Sequence, residues 1–128
     1  WVGKDVKIDE KVRIIGPVAI GDGSVIERGC TVGKNTVLGE NTYLEKNSTI
    51  KGSVIFPDST IKASSCLKDC IVDSRCCVEK GSFIEKGAIL GSSVQLGPFS
   101  RVKSKRSIYN SVVILPDSIV DSDYPIVT

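Results

Sequence analysis

Residues 20–50 read Ile20-Gly-Asp-Gly-Ser-Val-Ile26-Glu-Arg-Gly-Cys-Thr-Val32-Gly-Lys-Asn-Thr-Val-Leu38-Gly-Glu-Asn-Thr-Tyr-Leu44-Glu-Lys-Asn-Ser-Thr-Ile50, with an aliphatic side chain at every sixth position. A period of six matches neither the alternation of a long strand nor the 3.6-residue repeat of an amphipathic helix. It describes very short strands joined by turns. Outward from this stretch the series runs back through Ile14 and Ile8 to Val2. After one five-residue step it runs forward through Ile55, Ile61 and Leu67, and after a second through Val72, Val78, Ile84, Leu90, Leu96, Val102 and Ile108. A small side chain precedes each next aliphatic by two residues throughout Val6 to Ser100, as at Ser24, Cys30, Thr36, Ser48, Ser82 and Ala88.

The third residue after the aliphatic is often Gly or Asn (Gly23, Gly29, Asn35, Asn41, Asn47, Gly81, Gly87), the types that enter the left-handed backbone region at least cost. Each hexad therefore turns a corner. If three hexads close one triangular coil, the aliphatic and the small residue both face inward, and successive coils stack as parallel sheets. The expected fold is an all-β parallel β-helix of about six to seven triangular coils, forming a single domain over residues 1–128. The two shortened hexads, at Ile50–Val54 and Leu67–Ile71, lie 17 residues apart and fall on the same corner of adjacent coils.

Composition removes whole classes of chemistry. The chain has no His, so it supplies no imidazole base, no histidine metal ligand and no Ser-His-Asp or Cys-His machinery. A formal charge of +2 gives no long-range attraction to nucleic acid or anionic lipid, and no apolar run approaches the roughly 20 residues of a membrane span. Neither a nucleic-acid nor a membrane partner is expected. The absence of Met, even at position 1, is read as a cut within a longer polypeptide. Five cysteines without a signal peptide point to reduced thiols and a cytoplasmic location. Cys66-x3-Cys70 followed by Cys76-Cys77 is a candidate thiolate metal site, but zinc pairs are usually tighter and come with a matching second pair. The register puts Cys30, Cys70 and Cys76 in the inward small slot and Cys66 and Cys77 outward on different faces. No metal, cofactor or catalytic residue is assigned. Gly21-Asp22-Gly23 is read as one more corner, since no helix follows it as a phosphate-cradling loop requires.

The residues just before each aliphatic point outward and sort into three columns. One holds Lys7, Val25, Tyr43, Thr60, Cys77 and Gln95, and another Arg13, Thr31, Thr49, Cys66, Phe83 and Arg101. The third holds Ala19, Val37, Val54, Ile71 and Ile89, apolar over five coils. Such a strip marks a surface that something covers, so these five residues are the expected interface. After Val102 the pattern breaks at Lys103-Ser-Lys-Arg106, read as a loop projecting over 103–107, either solvated or open to a phosphate or an acidic partner. Residues 115–128 are read as a tail that covers or leaves the last coil.

The hexads resemble the hexapeptide-repeat superfamily, which implies a left-handed coil. Within it, Trp1–Val6, Ile14–Gly23 and the paired Ile50–Ile55 and Leu67–Val72 elements resemble the C-terminal domain of nucleotide-sugar pyrophosphorylases, most of all mannose-1-phosphate guanylyltransferases. That resemblance implies an assembly or regulatory domain that follows a nucleotidyltransferase domain. The parent reaction would join a sugar 1-phosphate to a nucleoside triphosphate and release pyrophosphate, with magnesium held by the catalytic domain. That domain opens with a Gly-x-Gly-Thr-Arg loop, which this chain lacks. The implied partners are the protein's own N-terminal catalytic domain and further copies of the chain. The rivals are a plain scaffold and an acyltransferase. The latter needs a histidine base, as a carbonic anhydrase needs three metal-binding histidines, while ice binding needs a longer threonine array than Thr31 and Thr49 provide.

Overall fold

Corners set this architecture. Gly23 (φ 74°), Asn41 (55°) and Gly81 (68°) take the left-handed conformation the hexad calls for, and so do Arg75 (59°), Phe99 (58°) and Lys105 (62°). A side chain in that conformation costs roughly 1–2 kcal/mol, which hydrogen bonds to the coils on either side offset. Asn41 N, for instance, donates to Asp22 O at 2.9 Å and Phe99 N to Lys80 O at 2.9 Å.

The computed structural model describes residues 1–123. Among the described residues, twenty strands of two or three residues lie between the corners, from Lys7–Ile8 to Ile119–Val120. The chain visits three parallel sheets in rotation, and every third strand joins the same sheet. Successive coils wind with a left hand into a triangular prism. On the first face Lys7, Val25, Tyr43, Thr60, Cys77, Gln95 and Val113 stand in register. The second face aligns Arg13, Thr31, Thr49, Cys66, Phe83, Arg101 and Ile119. On the third, Ala19, Val37, Val54, Ile71, Ile89 and Ser107 form the column. The expected register and the three columns therefore hold, and both shortened corners keep the strands after them on their faces.

Inside the prism the aliphatics from Ile20 to Ile108 form one buried column on each side. The small slots add a polar ladder. Ser48 Oγ donates to the Lys62 carbonyl (2.9 Å), Ser59 Oγ to Asp73 (2.9 Å) and Ser65 Oγ to Glu79 (3.0 Å). The same oxygens can accept from the next coil, as Ser59 Oγ does from Cys76 N at 3.2 Å. Each of these serine hydroxyls thus ties two coils together, and such a bond is worth about 1 kcal/mol net. Among the described residues one buried hydroxyl is orphaned, Thr36 Oγ1. The acceptor its position calls for, the Lys51 carbonyl, is taken by Ser53 Oγ at the shortened corner (2.9 Å).

Three expectations need correction. Val2, Ile8 and Ile14 continue the aliphatic series but are exposed, in the first coil of the prism. The loop expected to project over 103–107 is an ordinary corner: Ser104 and Lys105 make the turn, and Ser107–Ile108 resumes the third sheet. The expected tail over 115–128 continues the helix through Ile119–Val120, and its residues 124–128 lie outside the described residues. The spacing Val102, Ile108, Ile114, Val120 remains six. Only the small-slot signal fails there, since Arg106 takes that slot with an exposed side chain.

Candidate contact face

The third sheet gathers all five residues of the expected interface. Strand pairing puts Ala19 beside Val37, Val37 beside Val54, Val54 beside Ile71 and Ile71 beside Ile89. Val37, Ile71 and Ile89 are 43%, 41% and 44% exposed, and Ala19 and Val54 are half-buried. A strip of large apolar side chains at strand spacing, about 4.8 Å apart, is thus presented to solvent. Ser107 closes it at one end.

The two prism edges beside this strip differ in charge. The edge by which the chain enters the third face carries exposed Lys34, Lys51, Lys68 and Lys86, and ends in Lys103, Lys105 and Arg106. The edge by which it leaves carries Asp22, Glu40 and Asp58, all exposed, and half-buried Asp73. Reading along the hexads missed this segregation. Its signal is present: Lys34, Lys51, Lys68 and Lys86 recur at spacings of 17, 17 and 18 residues, one coil each. At the entry edge the shortened corners leave an open notch of about 660 Å³, lined in part by Lys34, Lys51, Gly52 and Asp69.

Lys103, part of the expected basic loop, lies 3.9 Å from Glu85, whose carboxylate accepts from Arg101 Nε at 2.6 Å and Ser104 Oγ at 3.1 Å. The Arg101 bond foremost holds Glu85 below the usual carboxylate range. Arg101 also lies over the Phe83 ring, 4.7 Å from its centroid. On the first face Tyr43 donates to Glu27, which more than anything else raises its phenol above the usual value.

The thiols do not converge. Cys30 donates to the Glu45 carbonyl at 3.0 Å and Cys76 to Gly91 at 2.9 Å, and burial raises both above the ordinary thiol value. Burial pushes Cys70 up to about 11. Burial, together with the Glu79 carboxylate to which it donates, does the same for Cys77. Groups held as neutral thiols are poor nucleophiles and poor metal ligands. Among the described residues no three His, Cys, Asp or Glu side chains are placed to hold a metal ion, and no helix is long and apolar enough to cross a membrane. Gly21 is buried in a corner where a Cβ would meet Glu40 N at 2.6 Å, so close packing of coils accounts for it.

Short parallel strands, hexad corners and a filled aliphatic prism define a left-handed β-helix domain of the hexapeptide-repeat class. A family model, the GMPPB C-terminal domain, matches residues 14–126, and the chain belongs to that family. Among solved structures it is similar to a hexapeptide transferase family protein from Anaplasma phagocytophilum, with a TM-score of 0.82 at 16% identity over 92% of this chain and 76% of that one. A variant of AntD, an N-acyltransferase from Bacillus cereus in complex with dTDP and coenzyme A, gives 0.75 at 20% identity over 80% and 73%. The UDP-N-acetylglucosamine acyltransferase of Arabidopsis gives 0.65 at 16% over 97% and 58%. At such identities these likenesses carry the fold alone. No curated protein matches the chain in sequence.

Proposed function

We propose that this chain is the C-terminal assembly and regulatory domain of a sugar-1-phosphate nucleotidyltransferase of the mannose-1-phosphate guanylyltransferase type, working in the cytoplasm. The observation that carries this reading is the family match over residues 14–126, which takes in nearly the whole prism. The parent reaction joins a sugar 1-phosphate and a nucleoside triphosphate into a nucleotide sugar and pyrophosphate. Its magnesium is assigned to the catalytic domain by the family resemblance. This domain contributes surface: the apolar strip of the third face is its contact with the catalytic domain or with another copy, and neither nucleic acid nor membrane is a partner. The acyltransferase likenesses favour the alternative only at the level of fold, since an acyltransferase of this class would need a histidine base and the chain contains no His.

The test is an assay of the purified chain in two mixtures, acetyl-coenzyme A with amino sugars and nucleoside triphosphates with sugar 1-phosphates. No turnover is expected in either, whereas removing residues 1–128 from the parent should change its assembly on sedimentation while nucleotidyl transfer continues. Product formed by the chain alone, or an unchanged assembly state of the truncated parent, overturns the proposal.

A further inference from the structure

The third face has a polarity across its width as well as an apolar centre, and at three of its six strands a base on the entry edge is matched by an acid on the exit edge. The strand Thr36–Leu38 is entered past Lys34 and left past Glu40, Val54–Ile55 is entered past Lys51 and left past Asp58, and Ile71–Val72 is entered past Lys68 and left past Asp73. At the last of these levels an acid, Asp69, joins the basic edge and a base, Arg75, joins the acidic edge. Even the exceptions mirror one another. The acid one level further on, Glu85, is already held by Arg101 at 2.6 Å.

A strip flanked by opposite charges at matching heights suits one kind of partner. Two copies placed face to face are related by a two-fold axis in the plane of contact. If that axis runs along the prism, the basic edge of each copy meets the acidic edge of the other at the same level, and each strip residue meets its own counterpart. If the axis runs across the prism, basic edge meets basic edge and acidic meets acidic, which is repulsive along both sides. We infer that the third face pairs with the third face of a second copy, with the two prisms parallel and running in the same direction. This inference rests on the reading of that face as a contact surface and names its occupant and geometry. Six strands at about 4.8 Å make the face roughly 30 Å long, and its area falls short of the ~800 Å² per partner of a standard interface. The pairing of the domain by itself is therefore weak, and the charged edges set its direction.

The experiment uses the chain carrying Cys66→Ser and Cys77→Ser, which removes the outward thiols, with one new thiol at either end of the strip. Under mild oxidation at near-millimolar protein, Ala19→Cys should cross-link to itself and Ile89→Cys to itself, and a mixture should give no disulfide between positions 19 and 89. Sedimentation at low salt supplies the second arm. Lys34→Glu with Lys51→Glu should weaken the dimer roughly tenfold or more, and adding Glu40→Lys with Asp58→Lys in the same chain should restore it, with circular dichroism as the fold control. A disulfide formed only between positions 19 and 89, failure of the swapped chain to recover, or no self-association of any variant would each overturn the inference. The contact-face reading falls separately. It is lost if Val37→Lys with Ile71→Glu alters neither self-association nor the docking of the catalytic domain in the parent.

Discussion

Ile14 and Ile50 occupy the same hexad position on the same face, yet Ile14 is 38% exposed and Ile50 is 0% exposed. Their strand pairing differs. Ile50 is paired with Val32 on one side and Leu67 on the other, whereas among the described residues Ile14 pairs with Val32 alone. One-sided pairing does not by itself expose a side chain, since among the described residues Ile108, Ile114 and Val120 also pair on one side alone and are buried. It is the first coil that stays open. Stability in this molecule belongs to interfaces between coils, as nearest-neighbour models of repeat proteins describe.

The largest break in that comparison comes from shortening both residues. Ile50→Ala should cost about 2–5 kcal/mol, as buried large-to-small changes do, and Ile14→Ala less than about 1 kcal/mol because much of its surface is already wet. Chemical denaturation of the two variants reads the difference directly. Equal costs would mean that the first coils are buried in solution. A smaller effect is expected in the small slots. Ser48→Leu forces extra atoms into a packed corner and removes the bond to the Lys62 carbonyl, at a cost of about 1–3 kcal/mol or more, while Val12→Leu in the half-buried slot near the open end should fall within about 0.5 kcal/mol. Thermal melts that rank the pair the other way would place the corner constraint elsewhere. The smallest effect carries the opposite sign. Thr36→Val removes the orphaned hydroxyl in a slot whose neighbour below is already Val18, and should stabilise by up to about 1 kcal/mol. A lower melting temperature would show that Thr36 Oγ1 has a partner.

Much of this was legible in the residues because the repeat leaves few choices. With the aliphatic and the small residue both assigned inward, the side chain between them must face out, and counting in threes then yields the columns headed by Lys7, Arg13 and Ala19. What escaped was whatever depends on neighbours or on a second period. Ile14 carries no mark to distinguish it from Ile50, since the hexad position is the same. Arg106 was read as the break of a pattern, although the aliphatic spacing on either side is intact and a long cation can turn outward where a compact side chain would turn in. Phe99, Arg75 and Lys105 are poor candidates for left-handed backbone on intrinsic preference, and stacked corners impose it on them. The charged edges of the third face become visible only when the chain is read at one coil per step, as Lys34, Lys51 and Lys68 show.

The paired short corners at Gly52 and Asp69 bear on how this fold absorbs error. In an ordinary sheet, losing one residue slips the register and turns every following side chain to the opposite surface. Here two residues are missing from the regular count, yet Ile71 and Ile89 still line up with Ala19 and Val37. The vertex takes up the loss and the reading frame of the faces is restored within the same hexad. Deletions at the vertices are thus local edits, and a lineage could trim or extend its corners one residue at a time while what is written on the three faces stays in place.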